Sequence, residues 1–350
     1  MVRTLFWHLF RTGLIIWSLA SVVFLLSYRD AQTAIELALP DAADLATATT
    51  SADQVAVRQA TRQRLGLALP LFYVGRGEAS NATWHWYGCH NQYHQWAVRL
   101  AHGDLGTSFR TGQAVRGQLQ TALAFTLPLT GTAAVLVVLA ALVLAQRLAA
   151  RPWWHRPVRS LLTGLHTLPL FVVALALLLV FANPEVLAWF PAYGFDQAGE
   201  EELRPGSRLL DYALHLALPV AALVISALPD LTLQLENALT QELTAHYATT
   251  ARAKGLAERG VIRRHALRNA LLPTITQATQ LLPALVAGAV VVEVVFALPG
   301  MGRLLADAAA ARDYPLLVGA VLLTGLARLI ALLLADLFYL WADPRIRWQS

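Results

Sequence analysis

Apolar and polar positions in this chain segregate into long blocks instead of alternating at the short periods of soluble helices or strands. Residues 12–28, 117–146, 160–184, 212–229 and 269–292 contain no Asp, Glu, Lys or Arg. A sixth apolar run, 314–340, is interrupted only by Arg328 and Asp336. A helix needs about 20 apolar residues to cross about 30 Å of hydrocarbon. The pattern therefore predicts an all-α polytopic membrane protein with about six transmembrane helices and a large outer loop after the first. The shorter runs are completed by flanking apolar residues and snorkelling arginines. Pro128, Pro169, Pro219, Pro229, Pro273 and Pro283 fall within or beside the runs, which suits kinked, closely packed helices.

Composition agrees with the blocks. The hydrophobic set makes up 57% and charged residues only 14%, against roughly 25% charged in soluble domains. The single cysteine, Cys89, excludes an intramolecular disulfide and a multi-thiolate metal site. The net charge of +5 would suit a nucleic-acid partner if it were gathered on one face. It is instead distributed among the loops, so the implied partner is the lipid bilayer and not nucleic acid.

Where those charges fall orients the chain, because loops rich in Lys and Arg stay in the cytoplasm. With the N-terminus inside, the inner segments hold fourteen basic and four acidic residues and the outer segments twelve basic and fifteen acidic. Both termini are then cytoplasmic. The division is an N-terminal transmembrane helix at 1–29, an extracytoplasmic loop or cap at 30–116, a five-helix core at 117–344 with a cytoplasmic loop at about 236–272, and a tail at 345–350. Leu14–Leu26 also has the length of a signal-peptide apolar region, but no small-residue cleavage site follows it, so the helix reads as retained.

The outer segment offers a short helix around 52–65 and a Trp/His-rich stretch at 84–96. His85, Cys89, His90 and His94 include i,i+4 pairs that a helix would present as metal ligands. The simpler reading is an aromatic lid on the membrane surface, and no metal is assigned. Asp230, Glu293, Arg328 and Asp336 lie within or at the ends of spans, where charge is costly and usually turned inward; structural pairing or snorkelling is the favoured role, ahead of substrate contact.

The inner loop carries the most specific pattern. Helix-favouring residues flank Gly255, which supplies a break between two short pieces. Leu256, Val261, Ile262, Ala266 and Leu267 form an apolar stripe, while Arg259, Arg263, Arg264 and Arg268 stay polar. Two readings stand open: a basic loop lying on anionic headgroups, or a docking element in which Ala251 and Ala253 permit close approach by a partner.

The segments Tyr247-Ala-Thr-Thr-Ala-Arg-Ala-Lys-Gly-Leu256 and Arg264-His-Ala-Leu-Arg-Asn-Ala-Leu-Leu-Pro273 resemble the cytoplasmic signature of ABC-importer permeases, in the dipeptide/oligopeptide/nickel branch. Gly103-Asp-Leu-Gly-Thr-Ser-Phe-Arg-Thr-Gly112, Val292-Glu-Val-Val-Phe296, Pro299-Gly-Met-Gly-Arg-Leu304, Arg312-Asp-Tyr-Pro315 and Asp343-Pro-Arg-Ile-Arg347 match in the family's order. After the first span the chain departs from the family, with Ser27-Tyr-Arg-Asp-Ala-Gln in place of a Pro-Gly-Asp-Pro-like segment. The resemblance implies the type I importer permease fold in a bacterial inner membrane, and transport of peptides, with nickel or another small solute as the alternative cargo. It implies a second homologous permease, two ATP-binding cassette subunits and an extracytoplasmic substrate-binding protein as partners. Tyr247, Ala251, Arg252, Ala253, Lys254, Gly255 and Leu256 become the ATPase-coupling residues. A membrane-anchored receptor is the weaker reading, since five further spans exceed what anchoring needs.

The chain does not look like an enzyme. A phosphate-cradling loop needs Gly-x-x-x-x-Gly-Lys-Ser/Thr, and Lys254, the single lysine, stands between Ala253 and Gly255. Neither His-Glu-x-x-His nor Gly-x-Ser-x-Gly occurs. No cofactor is expected on this chain, and ATP is expected to be consumed by partner subunits.

Overall fold

The computed structural model describes residues 2–29, 59–60, 63, 68–76, 84–191 and 205–342. Most of the helix expected at 52–65, the acidic residues at 196–202 and the tail at 345–350 lie outside the described residues, as do the side chains of Arg328 and Asp336. In chain order the elements are α1 (Val2–Arg29), the strands β1 (Val74–Arg76) and β2 (Trp84–Trp86), α2 (Gln92–Ala101), α3 (Val115–Ala149), α4 (His155–Thr167) and α5 (Leu170–Leu177), which ends in a π turn at Leu178–Ala182. Then come α6 (Pro205–Leu243), α7 (His246–Ala253), α8 (Glu258–Val261), a second π turn at Ile262–Ala266, α9 (Leu267–Val295), α10 (Met301–Ala310) and α11 (Tyr314–Ala342).

Every apolar run predicted from sequence is largely helical, but the lengths differ. Among the described residues two helices, Val115–Ala149 and Leu210–Leu243, are long and apolar enough to cross a membrane alone. The run at 160–184 is not one straight helix: α4 and the α5 segment meet at 104°. Pro169 is the cause, because a proline excludes helical geometry from the residue before it. Leu168 is accordingly extended, with ψ at 128°, and α5 restarts after the proline. Shorter apolar stretches occupy Gly13–Leu26, Ala284–Val295 and Tyr314–Ala327.

The chain forms two compact units. One comprises Met1–Ala122 with Leu304–Ala327. Within it α2 packs on α1 through aromatic rings: Phe24 and Trp96 stack at 4.8 Å between ring centroids, and Trp17 lies 5.5 Å from Trp96. Asn91 starts α2 by accepting the His94 N–H at 2.7 Å, as an N-cap residue does. The hairpin β1–β2 is antiparallel, with Val74 opposite Trp86. Asp313, 3% exposed, accepts the Ser108 hydroxyl and, at 3.1 Å, the Phe109 N–H. Two sequence motifs some two hundred residues apart are thereby one structural joint.

The other unit comprises Leu123–Arg303 with Arg328–Ser350. In α3, Leu129, Ala133, Val137, Ala141 and Ala145 recur every fourth residue and are buried. They form one helix face, and its alanines allow close packing. The outward stripe, Leu127, Val135, Leu139 and Val143, is apolar and exposed, as a helix facing lipid requires. α6 pairs most extensively with α9, and Ala222, Leu223, Leu285, Ala289 and Val292 lie in the core they share with α3 and α5.

α9 ends in a second polar joint. Glu293, wholly buried, accepts the Thr126 hydroxyl at 2.6 Å and the N–H groups of Gly302 and Arg303 at 2.6 and 3.2 Å. It caps the open N-terminus of α10, where a carboxylate is favoured. A Cβ at Gly300 would stand 2.1 Å from the Glu293 carboxyl carbon, and one at Gly302 would stand 2.3 Å from Val290 Cα. The Pro-Gly-Met-Gly segment is thus the space that lets the carboxylate reach the helix end. The sequence expectation of a structural role holds for Glu293.

The joint in the first unit is testable. Asp313→Ala leaves a buried hydroxyl and a backbone N–H without their acceptor, a loss of roughly 1–3 kcal/mol. Thermal unfolding of the purified protein in detergent should shift downward by several degrees, and an unchanged midpoint would show that the joint contributes nothing.

Candidate functional site

The inner segment singled out by sequence folds into a two-armed elbow. α6 continues to Leu243, and α7 begins at His246. α7 closes at Gly255, whose φ is +84°: the Gly255 N–H bonds Arg252 O at 2.9 Å and the Leu256 N–H bonds Ala251 O at 3.2 Å. This paired closure needs a left-handed residue after the helix, for which glycine is suited. No atom lies within 4 Å of where a Cβ would stand, so backbone conformation alone demands the glycine. After the turn, Ala257 is extended and α8 begins.

Buried small residues make the base of the elbow. Ala248, Ala251, Val261, Ile262, Ala266 and Ala270 pack with Leu235, Leu239 and Leu243 of α6 and with Ala145 and Ala149 of α3. Tyr247 and Leu256 are partly buried against the same cluster. Ala251 is 6% exposed, and its small side chain lets α7 settle against its own chain. The exposed tip is Ala253, Lys254 and Gly255, and Arg259, Arg263, Arg264, His265 and Arg268 form an exposed basic face beyond it.

Arg252 is exposed and bonded within its own chain. Its Nε and Nη2 bond the two Glu258 oxygens at 2.9 and 2.7 Å, and Nη1 bonds Leu243 O at 3.0 Å. One guanidinium thus ties both arms across the Gly255 bend and caps the end of α6. It holds the Glu258 carboxyl below the usual carboxylate range, while partial burial opposes the shift. The Tyr247 hydroxyl donates to Glu242 Oε2, which Asn269 also reaches at 3.3 Å. Burial, then the Glu242 hydrogen bond, raises the Tyr247 phenol above its ordinary value.

Sequence reasoning missed a third element at the inner ends. Glu236, 2% exposed, is bonded by His155 Nε2 at 2.8 Å and by Arg159 Nη1 at 2.8 Å, and so clamps α4 to α6. In the sequence it is one of the four acidic residues of the inner segments. The available signal was its place between Leu235 and Leu239 of α6, where an acid on the buried face requires a partner.

The Trp/His-rich stretch is not the single helix on which a metal reading rests, since α2 begins only at Gln92. His85 lies on β2, Cys89 and His90 are exposed in the turn that follows, and His94 Nδ1 is 3.0 Å from the Tyr73 hydroxyl. Among the described residues, no three His, Cys, Asp or Glu gather as a metal site. Asp230 is exposed, and its Oδ2 accepts Gln277 Nε2 at 2.7 Å.

A membrane-embedded core of kinked helices with a braced inner elbow fits a transport subunit, and comparison with known proteins decides the matter. Residues 115–348 match the family of binding-protein-dependent transport system inner membrane components. The chain belongs to that family. It is similar to the oligopeptide transport system permease protein AppB of Bacillus subtilis (strain 168), 32% identical over 258 residues, covering 73% of this chain and 80% of the relative. The probable D,D-dipeptide transport system permease protein DdpB of Escherichia coli (strain K12) is 33% identical over 308 residues, covering 83% and 84%. The peptidoglycan transport system permease protein YejB of Agrobacterium fabrum (strain C58 / ATCC 33970) is 36% identical over 185 residues, covering 53% of this chain and 51% of the relative.

For this inner membrane component the Arg252–Glu258 clasp gives a pH prediction. Because the folded-state Glu258 carboxyl is lowered from its ordinary 4.5, the clasp contributes fully above that value and is lost as pH falls through the lowered one. The pair is well exposed, so its worth is below about 1 kcal/mol. Amide hydrogen-exchange protection across α7 and α8 should fall a few-fold in Glu258→Gln at neutral pH. The wild type should approach that level only on acidification.

Proposed function

We propose that the chain is a permease subunit of an ATP-driven peptide importer, a multi-pass protein of the bacterial inner membrane with both termini cytoplasmic. The six spans are α1, α3, the bent α4–α5 pair, α6, α9 and α11. The charge asymmetry of the loops supports this orientation, and the peptide cargo rests on what the relatives carry.

One observation supports coupling above the others: the exposed tip Ala253-Lys254-Gly255 stands on a buried base continuous with α6 and α9. A force on the tip therefore reaches two closely paired helices instead of dissipating in a slack loop. The sole lysine has no place in a phosphate-cradling loop, so ATP hydrolysis belongs to other chains. In this reading two ATP-binding cassette subunits grip the elbows, a second homologous permease completes the pathway, and an extracytoplasmic binding protein delivers cargo. Arg252, Tyr247, Ala251 and Leu256 stiffen the lever, and Ala253, Lys254 and Gly255 meet the motor.

Gly255→Val tests the lever. A β-branched residue at a positive φ costs about 1–2 kcal/mol, and with no steric neighbour the strain is confined to the turn. Membrane insertion and yield should be retained while ATP-dependent uptake by the reconstituted complex falls at least about tenfold. Uptake at the wild-type level would remove the coupling role. Co-purification of the wild-type chain with an ATPase, and ATP hydrolysis only in that complex, is the accompanying expectation.

A further inference from the structure

The second unit contains a cavity of about 350 Å³ between α6, α9 and the start of α5. That volume falls within the roughly 300–1,000 Å³ of small-molecule sites. Leu170, Leu223, Leu281 and Leu285 line much of it, and its polar groups are Ser226, Asp230, Gln277, Gln280 and His166. At 1.5 Å per residue, Asp230 lies about 9 Å along α6 from Glu236, and Gln277 about 14 Å along α9 from Arg268. Asp230 thus stands at the inner end of the charge-free run 212–229, and Gln277 lies in the inner half of the run 269–292.

The carboxylate there differs from the structural ones. Glu236 is met by an arginine and a histidine, and Glu293 by a hydroxyl and two backbone amides of a helix end. Asp230 is exposed, and its bond comes from a neutral amide, Gln277 Nε2, on Oδ2. Among the described residues it forms no ion pair. A carboxylate without a cationic partner at the end of an apolar run is tolerated where it reaches water or lines a cavity, and such a residue is a candidate ligand contact. Gln277 orients one carboxylate oxygen, which leaves the other oxygen, the amide oxygens of Gln277 and Gln280 and the Ser226 hydroxyl as acceptors.

That set is one negative charge among neutral oxygens, beside an apolar wall. A divalent metal ion would call for a fuller shell of anionic oxygens or imidazoles. A primary ammonium carries three donors and one positive charge, and suits the set. We propose that this cavity is a resting point for the N-terminal ammonium of a passing peptide, with Asp230 as its counter-charge and the leucines holding the first side chain. The inference rests on the peptide-importer reading and adds to it a place on this chain where cargo is held.

The test uses the full importer complex in nanodiscs without its binding protein, with trialanine as probe and saturation-transfer-difference NMR as readout of weak binding. A charge-assisted hydrogen bond is worth about 1.5–3 kcal/mol, or roughly tenfold or more in affinity. Trialanine should give a signal in the wild type, N-acetyl-trialanine should lose most of it, Asp230→Asn should lose it likewise, and Asp230→Glu should restore it. Asn keeps an oxygen for Gln277, so Asp230→Asn removes charge and not the side-chain bond. If that variant fails to assemble, the N-acetyl comparison on the wild type and Gln280→Met, which spares the Asp230–Gln277 pair and should weaken the signal about two-fold or more, decide the question. Equal signals for the two peptides, or for Asp230→Asn and wild type, overturn the proposal. ATP-dependent trialanine uptake by the wild-type complex with its binding protein, measured alongside, separates that failure from failure of the importer reading: uptake with equal NMR signals removes the ammonium site alone, and absent uptake removes both.

Discussion

A carboxylate withdrawn from water inside an apolar chain has to be met by donors, and that requirement organises this protein more than any one apolar contact. The buried acids admit one arrangement each. Asp313 fixes the segment around Ser108 to the start of α11, Glu293 fixes the end of α9 to the start of α10, and Glu236 fixes α4 to α6. Each bond set involves residues far apart in the chain, so each specifies which helices meet and in what register.

The same logic separates structure from candidate function. Where an acid has its full complement of donors, as Glu293 does, it acts as a joint, and the small residues around it, Gly300 and Gly302, exist to let backbone approach it. Where an acid has one neutral partner and an open cavity, as Asp230 does, it has binding capacity left over. The elbow shows a parallel division between a buried base packed on its own chain and an exposed tip.

Much of the architecture was legible in the amino-acid order, because charge-free blocks report burial in lipid directly. What composition does not report is direction. The block at 160–184 has the length of a span, yet Pro169 turns the chain through a right angle, and only dihedral constraints reveal that. The elbow was legible from Gly255 and its flanking residues, but the facing of its side chains was not. Ala251 and Arg252 are neighbours in a segment with outward-looking composition, and both turn toward their own chain. The Arg252–Glu258 pairing crosses a non-helical break, so no i,i+4 rule points to it. The partners of Glu236 and Asp313 lie some eighty and two hundred positions away, where no local pattern reaches.

The tip of the elbow has a practical consequence. Lys254 is the single lysine of the sequence, it is exposed, and it stands on a rigid base. Apart from the chain's own α-amino group, it is the one aliphatic amine on the polypeptide. An amine-reactive fluorophore would therefore mark this spot on the isolated chain without any engineered residue, and its emission would report when the tip becomes covered.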